Sequence, residues 1–136
     1  MKIRVGFGFD VHQLVEGRDL WLGGIRLEHT KGLMGHSDAD VLIHAICDAL
    51  LGAANMRDIG YHFSDKDQQY KDISSMILLE RVMKMIEERG YKVNNVSAVI
   101  MAEKPKKNEN ILKDSETVIL KHAKSLLSET FVWLLM

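Results

Sequence analysis

The chain has 136 residues, 46% hydrophobic and 27% charged, with a formal net charge of -1. That length suits one domain with a real core and is short for two, and the near-neutral balance argues against a general nucleic-acid binder, which carries a clustered basic excess. The single cysteine, Cys47, excludes an internal disulfide framework and fits a reducing compartment; it sits in an apolar helical run and reads as core rather than nucleophile. The N-terminus lacks the pattern of a secretory signal, and no run approaches about 20 apolar residues, so no membrane span is expected.

Residues 2–10 read as a strand, with Ile3, Val5, Phe7 and Phe9 alternating. Asp10 and His12, two apart, then share a face. Leu20-Trp21-Leu22 and Ile25-Arg26-Leu27 read as a hairpin turning at Gly23-Gly24, and residues 28–36 as a loop. Ser37 followed by Asp40 resembles a capping box, opening a helix from about Asp38 to Ala54. On that helix Asp40 and Asp48 each lie four residues from His44 and share its face, where they either orient the imidazole or are simply solvated.

Residues 55–72 are polar and aperiodic, a loop length that is often functional. Ser74 or Ser75 caps a second helix reaching Arg89, with Leu79, Val82, Met83 and Ile86 inward and Gly90 as the stop. Residues 93–102 form a second clear strand, with Val96, Ala98, Ile100 and Ala102 on one face. A third helix is expected from about Glu109 to Leu127, before the wholly apolar Phe131–Met136. The class expected is α+β, a mixed sheet with three helices packed on one face, forming one domain over residues 1–136.

A lone histidine is more often structural than ligating, and His29 and His122 have no chemical neighbourhood that says otherwise. His12, His36 and His44 do, since each sits beside aspartates. Asp10 and His12 with His44, about two turns into its helix, supply a carboxylate and two imidazoles, a donor set for an open zinc site that keeps a fourth position free. Taken alone, Asp58-Ile59-Gly60 is a turn and Lys104-Pro105-Lys106-Lys107 a solvated basic turn.

Read together and in order, Gly8-Phe9-Asp10-Val11-His12, Gly35-His36-Ser37-Asp38-Ala39-Asp40-Val41-Leu42-Ile43-His44, Asp48-Ala49-Leu50-Leu51-Gly52, Asp58-Ile59-Gly60 and His62-Phe63-Ser64-Asp65 resemble the 2-C-methyl-D-erythritol 2,4-cyclodiphosphate synthase family of non-mevalonate isoprenoid biosynthesis. The resemblance runs from residue 2 to about residue 106. It implies a lyase that converts 4-diphosphocytidyl-2-C-methyl-D-erythritol 2-phosphate to the cyclic diphosphate and releases CMP. It implies zinc, or a similar divalent ion, on Asp10, His12 and His44, with a phosphate oxygen in the open position. It also implies a magnesium ion on the diphosphate.

By the same resemblance His36, with Ser37, faces the phosphates and stabilises the transition state. Asp10 and His12 also contact substrate, as do Asp58, Ile59, Gly60, Phe63, Ser64, Asp65, Lys66 and Asp67. Ala102, Glu103, Lys104, Pro105 and Lys106 surround the cytidine of a neighbouring subunit. The partners implied are this small cytidine diphosphate substrate and two further copies in a homotrimer, in a bacterial-type cytoplasm or a plastid stroma.

The family's later motif, a run of threonines followed by Glu-Lys, has no counterpart here, and with it the magnesium-binding Glu is absent. The closing strand is therefore expected to be missing or altered, as in a truncated or frameshifted gene or a natural short variant. The alternative to an active enzyme is an impaired remnant that still binds metal or cytidine nucleotide.

Overall fold

The computed structural model of the chain describes residues 3–100. Contacts divide the chain into two compact units, Met1–Lys92 and Val93–Met136. Of the second, the described residues 93–100 carry no regular element, although half-buried Val96, Ala98 and Ile100 alternate with exposed Ser97 and Val99 as the pattern requires. Ala102–Lys106, the third helix and Phe131–Met136 lie outside the described residues.

The first unit is α+β. Its strands are β1 (Leu14–Glu16), β2 (Leu20–Leu22), β3 (Ile25–Leu27) and β4 (Lys31–Leu33); its helices are α1 (Val41–Ala53), α2 (Ile59–His62) and α3 (Ser75–Glu88), with a 3-10 turn at Gln68–Tyr70. β2 and β3 form the expected antiparallel hairpin, Leu22 opposite Ile25, with Gly23 and Gly24 at φ 64° and 80°. Positive φ at both central residues is what a tight hairpin turn requires. β1 pairs antiparallel with β4, Leu14 opposite Leu33, and β4 lies inside what the sequence suggests is loop. Three residues are too few for an alternation to show.

Residues 3–10 are not a ladder strand. Their burial still alternates: Gly6, Gly8, Asp10 and His12 turn inward while Val5, Phe7, Phe9 and Val11 are 65–89% exposed. The inward edge lies flush on α1, where a Cβ at Gly6 would fall 1.8 Å from the Ala49 carbonyl oxygen and one at Gly8 1.9 Å from that of Ala45. The segment is thus held by backbone-to-helix packing, with no ladder partner among the described residues.

α1 buries Leu42, Ile43, Cys47, Leu50 and Leu51, and packs on α3. The inward stripe of α3 is Leu78, Leu79, Val82 and Ile86, one position off the expected set, with Met83 only half-buried. Ser74 caps α3 as expected. Cys47 is wholly buried and burial pushes its thiol up, so it is core.

The start of α1 differs from the expected one. Ala39 is left-handed, φ 58°, and this reversal delays the helix to Val41 and makes Asp40, not Ser37, the N-cap. The Asp40 carboxylate is fully buried and accepts from the amides of Gly23 (2.9 Å), Gly24 (2.6 Å) and Ile43 (3.1 Å), tying hairpin to helix. Burial pushes its carboxyl up and those amides bring it only part of the way back. Asp40→Ala leaves three amides without their acceptor, so a loss of about 3 kcal/mol is expected in urea unfolding. An unchanged midpoint would contradict this role.

Candidate metal centre

Three elements converge to bring Asp10, His12 and His44 together. The glycine edge lays residues 6–10 on α1, two residues carry the chain from Asp10 to His12 on the same inward face, and α1 presents His44 one turn from its N-cap. One donor atom from each lies within 4.8 Å of the others. Asp10 Oδ2 is 2.9 Å from His12 Nε2 and 3.2 Å from His44 Nδ1. The three side chains are 15–24% exposed, reached by solvent yet mostly withdrawn from it.

The donor set fits a divalent cation such as zinc, which takes imidazole nitrogen and carboxylate oxygen and leaves a position open when only three ligands are protein. Hydrogen bonding agrees. His12 Nδ1 donates to the Met34 carbonyl at 2.5 Å, which makes Nε2, the nitrogen facing Asp10, the one a cation would take. Burial pushes the Asp10 carboxyl up, but the hydrogen bonds and positive charge of His12 and His44 outweigh it and hold the group well below the usual carboxylate range. The bond to Asp10 in turn raises His12, against an opposing effect of burial.

That has a consequence for pH. A cation needs the bare nitrogen, so a raised His12 brings proton competition in above the ordinary imidazole value of 6.5 and deepens it as pH falls. Zinc affinity, read by chelator competition between about pH 8.5 and 5.5, is expected to weaken by roughly tenfold per unit for each proton displaced. A flat profile would mean that His12 is not a ligand.

The triad lines a cavity of about 200 Å³. His36, Ser37, Ile59, Gly60, Phe63 and Asp65 line it with the triad, bringing most of the expected site residues to one place. His36 is braced from all sides: Arg18 donates to the carbonyls of Gly35 (3.0 Å) and Ser37 (2.7 Å), the Asp72 amide donates to the His36 carbonyl (2.8 Å), and His36 Nε2 meets the Asp67 carbonyl at 3.1 Å.

Asp58, Ser64, Lys66 and Asp67 are not in the cavity wall. Asp58 caps α2 by accepting from the Tyr61 amide (2.8 Å), Asp67 caps the 3-10 turn through the Gln69 amide (3.0 Å), and Ser64 Oγ accepts from the Lys66 amide (3.3 Å). These residues build the loop that carries the wall.

Two wall residues, Tyr70 and Leu78, go unnoticed in the sequence; Tyr70, an aromatic inside a polar stretch, was the available signal. Asp48 also lines the cavity, and its carboxylate accepts from the Ile59 amide at 2.8 Å. Burial raises the Asp48 carboxyl, and the negative charges of Asp58 and Asp10 add to that. Asp40, expected to flank His44, points away to the hairpin.

Comparisons agree with this site. The YgbB family matches residues 3–127. The chain is similar to the 2-C-methyl-D-erythritol 2,4-cyclodiphosphate synthase of Bacteroides thetaiotaomicron, 67% identical over 118 residues that are 87% of this chain and 74% of the relative. It is also similar to that of Bacteroides fragilis, 68% identical over 111 residues, 82% of this chain and 70% of the relative. A solved synthase of that description, in a CDP-bound form, superposes with a TM-score of 0.83 at 33% identity, covering 96% of this chain and 85% of its own. With identity this high over this much of both chains, and the matched stretch containing the whole triad and cavity, the chain belongs to the YgbB family.

Proposed function

We propose that the chain is a lyase acting as a 2-C-methyl-D-erythritol 2,4-cyclodiphosphate synthase, closing the cyclic diphosphate from 4-diphosphocytidyl-2-C-methyl-D-erythritol 2-phosphate with release of CMP. The observation that carries the reading is the Asp10/His12/His44 cluster in the cavity lining, in a chain two-thirds identical over the matched stretch to relatives that bear this name. In this reaction an oxygen of the 2-phosphate forms a bond to the β-phosphorus. The bond from that phosphorus to the bridging oxygen breaks, and CMP leaves with the electron pair. No protein nucleophile is needed, so positioning and charge neutralisation are the protein's contribution.

Zinc held by Asp10, His12 and His44 supplies Lewis-acid polarisation of a phosphate oxygen and a fixed point for the diphosphate. His36 is the group assigned to the transferring phosphoryl, where a bond strengthens as charge builds. Its backbone brace supports this, since a donor held before reaction costs no reorganisation. Ser37 accepts from the Ala39 amide at 3.1 Å, and its own hydrogen is assigned to a substrate phosphate. Ile59, Gly60, Phe63 and Asp65 are assigned to the erythritol moiety, with Asp58, Ser64, Lys66 and Asp67 as the frame of that wall.

Magnesium on the diphosphate, and cytidine between Ala102 and Lys106, belong to this reading through the family. So does a homotrimer. The outward apolar stripe of Ile3, Val5, Phe7, Phe9 and Val11 suits burial against further copies, and sedimentation at a monomer mass would oppose it. Among the described residues no helix is long and apolar enough to cross a membrane.

The test is incubation of metal-loaded protein with synthetic substrate, zinc and magnesium. CMP is the expected product. Inorganic phosphate in place of CMP would identify a phosphohydrolase, and a folded, metal-loaded protein without turnover would overturn the activity.

A further inference from the structure

His36 has no helix or strand of its own to hold it. Residues 34–40 run between β4 and α1 without a regular element, so bonds to distant parts of the chain decide where the ring stands. Two of them come from a single side chain. Arg18 donates through Nη1 to the Gly35 carbonyl at 3.0 Å and through Nη2 to the Ser37 carbonyl at 2.7 Å, so one planar guanidinium grips the backbone before and after His36. Backbone bonds complete the grip: the Asp72 amide donates to the His36 carbonyl at 2.8 Å, and the Asp38 amide to the Ile73 carbonyl at 3.1 Å.

Arg18 is itself anchored. It stands in the turn between β1 and β2, next to left-handed Gly17 (φ 77°). β4 passes so close that a Cβ at Gly32 would fall 2.5 Å from the Arg18 carbonyl oxygen and 2.1 Å from that of Asp19. The Arg18 side chain is half-buried, and none of the ion pairs among the described residues includes it. Nor does it line the cavity. A guanidinium that meets neither a carboxylate nor the cavity, and gives its fork to two carbonyls flanking one residue, serves that residue's position. Lysine cannot do the same, because an ammonium is a single point on a flexible stem and lacks the rigid fork.

We propose that Arg18 is a positioning residue for the cyclisation: by clamping Gly35 and Ser37 it holds His36 against the transferring phosphoryl, without touching substrate itself. Its purpose rests on the role assigned to His36, but the clamp is a property of the protein without substrate. The metal ligand is held separately. His44 Nε2 lies 2.9 Å from Ser75 Oγ on α3, as well as 3.2 Å from Ser37 Oγ, so the α3 contact remains when the Ser37 loop shifts.

Arg18→Lys keeps the charge and most of the stem and loses the fork. A displacement of about an ångström in a group that must be in place before reaction is costly, so kcat for CMP formation is expected to fall about 10–100-fold. KM and zinc affinity are expected to stay within about threefold. A merely structural role is separated by the double substitution: in a His36→Ala background Arg18→Lys is expected to lower kcat by no more than about threefold, because the group it positions is gone. Equal losses in both backgrounds, or a raised KM with kcat unchanged, would overturn the proposal.

In ¹⁵N spectra of the unsubstituted chain, a guanidinium held by two carbonyls is expected to give separate, slowly exchanging Nη signals; one averaged signal would overturn the clamp. Should Arg18→Lys not fold, that spectrum decides alone. Should the unsubstituted chain form no CMP, the synthase reading fails while the clamp is still tested by the spectrum and by hydrogen exchange at the Asp72 amide. That exchange is expected to quicken at least about tenfold in Arg18→Lys, and an unchanged rate would overturn the clamp.

Discussion

Gly8→Ala is expected to cost about 2–4 kcal/mol of stability and to weaken zinc binding at least about tenfold, a large effect for one methyl group. The new Cβ falls 1.9 Å from the Ala45 carbonyl oxygen and 2.7 Å from the Ala49 nitrogen. Both are helix backbone atoms, which cannot rotate aside as a side chain does. The segment has to lift from α1 by more than an ångström to restore ordinary contact, and Asp10, two residues on, lifts with it. Asp10 Oδ2 sits 2.9 Å and 3.2 Å from the two ring nitrogens, so a displacement of that size opens the triad.

Gly52→Ala is the matched control. It makes the same chemical change on an exposed face of α1, where the nearest atom is the Phe7 carbonyl oxygen at 3.9 Å. Helix propensity alone predicts a gain of up to about 1 kcal/mol there. Equal behaviour of the two variants in denaturant would mean that the close approach of residues 6–10 to α1 does not position the site.

His44→Ala is expected to abolish stoichiometric zinc and to lower CMP formation by about a thousandfold or more. The substitution removes the one ligand contributed by the helix and leaves Asp10 and His12, adjacent on one segment, to hold the ion alone. It also leaves Ser75 and Ser37 facing the space His44 filled, so part of the stability change reports their lost partner rather than the metal. Metal content and thermal stability must therefore be read separately. One zinc per chain retained by this variant would contradict the ligand assignment.

The triad was legible because each of its members obeys a local rule. Period two puts Asp10 beside His12, and helical spacing puts His44 near the start of α1. The Ser74 cap and the Gly23-Gly24 turn are local in the same sense. What escaped depends on distant partners. Nothing within a few residues of His44 announces Ser75, and the alternation of residues 3–10 signals a strand whether its inward edge meets a neighbouring strand or a helix.

Ala39 shows a second kind of failure. A left-handed alanine defies its intrinsic preference and is held there by the bonds that Asp38 and Asp40 make on either side. Ser37 looked like the cap because the sequence places it three residues before Asp40, yet Asp40 takes that role. The wall loop reads two ways for a different reason. Asp58, Ser64 and Asp67 are the residue types that both bind hydroxyls and close turns, and here their side chains close turns.

A synthase differs from a hydrolase in that substrate phosphate, rather than water, attacks phosphorus. Single-turnover reaction of metal-loaded protein in ¹⁸O-water, with phosphorus NMR and mass analysis of both products, reads this in one experiment. Cyclic diphosphate and CMP are expected in equal amounts, neither carrying ¹⁸O from solvent. Solvent ¹⁸O in CMP, or in a linear phosphate product, would contradict this and make Asp10, His12 and His44 the centre of a hydrolase.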